Sequence, residues 1–222
     1  MPARETARST TDEPGAASPG TDAGRAPSTR DRLLDGAFEV MRARGLAHTT
    51  TKQIARAAGY SEATLYKTFA DKIDLFLCVL TERLPRVDLV SGDLADRVGH
   101  GTVADTLRQT GEQLLAFYAA SFPISASVFA DASLLVRYRE GVLARGRGPA
   151  TVNQVVADYL RAEQRVGRIA PDARPDALAA ALVGGCFQRA FLRAFTGEAV
   201  TDAQLPAFVN DLVETLLPAM RP

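Results

Sequence analysis

Between Thr50 and Lys72 the chain gathers hydrogen-bond donors in three short runs: Thr50, Thr51 and Lys52, then Tyr66 and Lys67, then Lys72. Ammonium and hydroxyl donors suit phosphate oxygens, and a lysine can also donate to a guanine edge. Ala63 adds an apolar contact of the kind a thymine methyl accepts. Glu62 fits less simply. Its carboxylate either accepts from a cytosine amino group or favours a helix N-terminus electrostatically. These are residues for gripping a duplex rather than for bond-breaking. The motifs GxSxG, HExxH, CxxC, GxxxxGK[ST] and GxGxxG are all missing from the 222 residues, and His48 and His100 are the only histidines. No catalytic role, metal or cofactor is expected.

Such donors work only if short helices present them. Ser28 with Asp31 makes a capping box, followed by Leu33, Leu34, Ala37, Phe38 and Met41 at helical spacing, and Gly45 ends that helix. Thr50 with Gln53 opens a second, brief helix carrying Ile54, Ala55 and Ala58. Gly59 ends it, because glycine takes the left-handed conformation without a Cβ penalty. Ser61 caps a third helix that carries Leu65 and ends near Phe69, and Asp71 caps a fourth. Two short helices joined by a glycine turn and braced by longer ones predict a helix-turn-helix. Burying Leu65 leaves Glu62, Ala63, Tyr66 and Lys67 facing a duplex, with Thr64 at the edge of that face. Thr50, Thr51 and Lys52 stand at the N-terminus of the second helix, where free N–H groups favour a phosphate. Residues 28–75 hold eight basic and six acidic side chains, a modest local excess in a chain of zero net charge.

The run TTTKQIARAAGYSEATLYKTFADK, within Ser28 to Arg83, resembles the tetracycline-repressor-like (TetR) transcriptional regulators. The shared pattern is paired threonines, Ile-Ala, Ala-Gly, Ser, Thr-Leu-Tyr, Phe and a following lysine. Carried over by position, the resemblance implies backbone contacts from Thr50, Thr51, Tyr66 and Lys72, and base reading from Lys52, Glu62, Ala63, Thr64 and Lys67. Ser61 and Thr68 complete the expected DNA-facing set. Tyr60 stands where that family usually has a small aliphatic residue, and Thr68 where histidine is common. The resemblance further implies an all-α, two-domain subunit: a three-helix helix-turn-helix domain plus a larger helical domain for ligand binding and dimerisation. Such a subunit would be a homodimer on a pseudo-palindromic operator, most simply a repressor released by a small, largely hydrophobic effector. An activator using the same head, or a ligand-binding helical dimer without DNA binding, are the alternatives.

The expected domains are a disordered tail over 1–27, the DNA-binding domain over 28–75 and the effector and dimerisation domain over 76–222. The tail is rich in Pro, Gly, Ser and Thr and cannot bury enough surface to offset its ordering. After Val103 the pattern predicts helices near 102–120, 123–146, 149–166, 175–196 and 202–219, with a break at Pro123. Gln113, Phe117, Tyr118, Phe122, Phe129, Asp131, Tyr138, Phe187, Gln188 and Phe191 are candidates for an effector pocket, and Asp131 needs a cationic partner if it faces inward. Ala180, Gly184, Phe195, Phe208, Leu212 and Leu216 are candidates for a dimer interface, since two helices from each subunit close a four-helix bundle. Cys78 and Cys186 lack metal spacing and read as small buried hydrophobes. No apolar run approaches the ~18 residues of a membrane span, and no apolar leader opens the chain, so the cytoplasm is the expected compartment.

Overall fold

The computed structural model describes residues 27–84, 94–144, 148–197 and 204–221; residues 1–26 of the expected tail lie outside them. Among the described residues every regular element is helical. The first four are α1 (Thr29–Arg44), α2 (Thr51–Ala58), α3 (Glu62–Thr68) and α4 (Lys72–Glu82). Then come α5 (Val103–Ser125), a 3₁₀ turn (Ala126–Ala130), α6 (Ala132–Ala144), α7 (Pro149–Arg165), α8 (Pro175–Thr196), α9 (Gln204–Leu216) and a final 3₁₀ turn (Leu217–Met220).

The first four helices begin where the sequence places their caps. Ser28 and Thr50 form reciprocal capping boxes with Asp31 and Gln53, Ser61 accepts from the Thr64 N–H, and Asp71 accepts from the Ile73 and Asp74 N–H groups. Gly59 ends α2 at φ 78°, a left-handed turn that a side chain would strain. The expected break at Pro123 is not seen. α5 runs through it for two more residues and gives way to the 3₁₀ turn. Proline there removes one intrahelical N–H near the end of the helix, where little of the ladder remains to be lost. The break falls instead at Asp131, whose carboxylate accepts from the Ser133 and Leu134 N–H groups at the start of α6.

Two apolar clusters organise the molecule. In one, Leu33, Leu34, Met41, Ile54, Leu65, Phe76 and Val79 pack with Ile124, Val128 and Leu134, so the end of α5 and the start of α6 join the core of the first four helices. In the other, Leu107, Leu114 and Leu115 of α5 meet Val156 and Leu160 of α7, Leu182, Val183 and Cys186 of α8, and Val209 and Val213 of α9. Burial pushes the Cys186 thiol up to about 12, so it stays protonated as a small core residue. Val103–Ala130 and Pro175–Thr196 are long and apolar enough to cross a membrane by length and composition alone. Both, however, have faces in the shared core, and they bury Thr106, Thr110, Ser121 and Arg193 there.

α4 is tied to α1 by charge as well as packing. Arg83 Nη2 and Nε bond Asp31 and Asp35 at 2.8 and 2.6 Å, and Arg30 pairs with Glu82. Ser28 and then Arg83, both donating to Asp31, hold its carboxyl down at about 2.

Candidate nucleic-acid interface

α3 buries one side chain completely, Leu65, which has no exposed surface. With Leu65 fixed inward, Ala63, Tyr66 and Lys67 share the outward side by their spacing, and Glu62 in the first turn is exposed beside them. Tyr66 stands out, with 54% of its surface exposed. Thr64 is half-buried, as its place at the edge of the face requires. Ser61 and Thr68 are occupied within the helix. Ser61 Oγ caps it, and Thr68 Oγ1 donates to the Thr64 carbonyl at 3.1 Å.

The N-terminus of α2 comes to the same side. Thr50 and Lys52 are exposed and Thr51 is half-buried. Thr51 Oγ1 donates to the Glu62 carboxylate and lies 3.2 Å from the Tyr66 hydroxyl, so α2 and α3 are joined across the presented face. Sequence reasoning named all three residues but not this link, which joins positions 11 and 15 apart.

Lys72 is placed differently from a free surface lysine. Its Nζ donates to the Leu46 and Thr49 carbonyls, each at 3.1 Å, which knits α4 to the loop before α2. Burial, helped by the Arg137 charge, lowers its pKa. Two of its three donors are thus engaged inside the protein. The same loop is gripped from the other side. Ala47 N–H donates to Ser127 Oγ at 3.1 Å, and Leu46 N–H to the Ile124 carbonyl at 3.2 Å. No signal in the sequence pointed to Ser127.

The pocket candidates divide. Phe117, Tyr118, Phe122, Phe187 and Phe191 come together between α5 and α8, with neighbouring ring centroids 5.4–6.1 Å apart, and Phe195 extends the row at 6.2 Å. Burial raises the Tyr118 hydroxyl to about 12. Tyr138 is elsewhere, against Phe76 of α4 at 5.6 Å. Phe129 is 73% exposed, and Gln113 and Gln188 are also on the surface. Asp131 faces out as the α6 cap, with its pKa lowered by the Leu134 N–H and the Ser133 hydroxyl.

Among the interface candidates, Ala180 and Gly184 lie exposed on one face of α8 and Phe195 is 80% exposed, while Phe208, Leu212 and Leu216 are half-buried against the second core.

A helix-turn-helix with an exposed third helix, carried on a larger helical body, defines a class of nucleic-acid-binding domain. Residues 33–79 match the family described as bacterial regulatory proteins, tetR family. The chain is 37% identical over 67 residues to the HTH-type transcriptional regulator SrpR of Pseudomonas putida, covering 30% of this chain and 32% of SrpR. The same identity and length relate it to TtgW, another HTH-type transcriptional regulator of Pseudomonas putida, of which half is covered. The match thus spans a third to a half of these relatives. Over most of the chain the likeness is one of fold. FadR from Bacillus subtilis, solved in complex with stearoyl-CoA, superposes with a TM-score of 0.63 at 16% identity, covering 86% of this chain and 98% of that one. A regulator from Mesorhizobium loti superposes with a TM-score of 0.69 at 21% identity, over 87% and 97%.

Proposed function

We propose that the protein is a ligand-responsive transcriptional regulator that binds duplex DNA through α3 and the N-terminus of α2. The observation that carries this reading is the face itself: Lys52, Glu62, Ala63, Tyr66 and Lys67 are exposed together on two short helices anchored by Ile54 and Leu65. Lys67 and Lys52 supply charge for phosphate or guanine, and Ala63 lets the helix approach a base edge closely. Lys72 acts mainly by holding the loop that sets α2, and its third donor remains for a phosphate.

The working form is a homodimer on a pseudo-palindromic operator, with two copies of α3 reading successive major grooves about 34–36 Å apart. The exposed Ala180, Gly184, Phe187, Phe191 and Phe195 support α8 as the meeting surface, because small residues permit close approach and aromatic rings supply area. The part of the aromatic row between α5 and α8 supports a small apolar effector. Binding there would shift the dimer away from the spacing that DNA needs, which makes repression with ligand release the favoured mode. All of this belongs in the cytoplasm, with the genome.

The test is a salt titration of the purified protein on the DNA flanking its own gene. Tight, sequence-selective binding by two subunits, weakening steeply with salt, is the expected result. Absence of selective binding there and across a genomic fragment library would replace this reading with that of a ligand-binding dimer.

A further inference from the structure

Resting on the reading that this domain binds duplex DNA, we propose that Glu62 is an internal substitute for a DNA phosphate. In the free protein it accepts the Thr51 hydroxyl proton, and the Thr51 oxygen in turn accepts that of Tyr66, so a duplex must displace it to use them.

Hydrogen-bond direction carries the inference. An ionised carboxylate only accepts, so the contact between Thr51 Oγ1 and Glu62 uses the single proton that the threonine hydroxyl owns. The Tyr66 hydroxyl lies 3.2 Å from that same threonine oxygen. With the threonine proton already engaged, tyrosine is the donor in this contact. The chain therefore runs Tyr66 to Thr51 to Glu62, and both protons are directed along it toward one carboxylate.

A phosphate oxygen likewise only accepts, so neither hydroxyl can serve it while this chain stands. Docking exchanges one anionic acceptor for another. It also leaves the Glu62 carboxylate beside the DNA backbone with its partner removed. Both consequences oppose binding, and neither depends on the base sequence. Glu62 thus lowers affinity for every duplex by a common factor, which keeps the protein from being held on the vast excess of non-specific DNA.

The experiment is a double-mutant cycle on a random-sequence duplex at fixed low salt, with thermal melts to confirm folding. Glu62→Ala is expected to bind about tenfold more tightly, the worth of one freed charge-assisted hydrogen bond. Glu62→Gln, a weaker acceptor of the same shape, should give a smaller gain. In a Thr51→Val/Tyr66→Phe background the gain from Glu62→Ala should largely vanish. A gain that persists there would reduce Glu62 to simple charge repulsion and overturn the proposal. So would unchanged or weaker binding by Glu62→Ala, which suits a base-reading role. Binding by wild type with no effect of Glu62→Ala sinks this inference alone, whereas no duplex binding by any variant removes the DNA-binding reading with it.

Discussion

Lys72 shows how a residue named for one role can hold another. Its two carbonyl partners lie 23 and 26 positions away, and it reaches them from a half-buried site. Replacing it with Met would leave the Leu46 and Thr49 carbonyls short of a donor. The expected loss is about 1–3 kcal/mol of stability, read from urea unfolding midpoints, with DNA affinity falling as the loop loosens. The Thr50 cap is a simpler case. Thr50→Ala should cost about 1 kcal/mol, because the Gln53 N–H loses its acceptor. Caps of this kind were legible in the sequence since both partners lie within three residues. The links Thr51–Glu62, Lys72–Leu46 and Ala47–Ser127 were not, because they depend on how helices sit against one another.

The same division holds among the elements. The first four helices follow local signals: a cap at each start, a glycine after α1 and α2, and an apolar stripe. Further along, Pro123 misled, since a proline close to a helix end breaks little, and the working punctuation was the Asp131 cap. The aromatic candidates were identified by type, but period alone could not separate Tyr138, packed on Phe76, from the row between α5 and α8. Close packing of α5 on α9 supplies one prediction. A Cβ on Gly111 would stand 2.6 Å from Val209 Cγ1, so Gly111→Ala should destabilise by about 1–3 kcal/mol, seen as a lowered thermal midpoint. The link between α4 and α6 supplies another. Burial alone would raise the Asp71 pKa. The N–H groups of Asp74 and Ile73, together with Arg137 2.6 Å away, outweigh it and bring the folded value below the ordinary 3.8. A carboxylate depressed on folding stabilises above its unfolded pKa and loses that contribution as pH falls through the folded value. Wild type and Asp71→Asn should therefore differ in unfolding midpoint near neutral pH and converge as the pH falls through the lowered folded value.

For the whole molecule, the exposed surface of Phe187, Phe191 and Phe195 along α8 predicts association. A charge placed there, as in Phe191→Glu, should give a monomer by light scattering. On the proposed dimeric reading it should also weaken operator binding far more than binding to random duplex, since the operator would need both heads in register. The head was readable from sequence because its caps and its glycine turn are local signals. The body was readable only as helices, because many apolar sequences fill a helical core equally well.

The grip of Ile124 and Ser127 on the loop at Leu46 and Ala47 bears on any attempt to exchange modules. A chimera joined just after residue 75 would give a borrowed head a foreign cradle. Its α2 would then be set by whatever replaced Ile124, Ser127 and Val128. Transplanting those three positions together with the head, although they lie some fifty residues downstream of it, keeps the seam between the two parts intact.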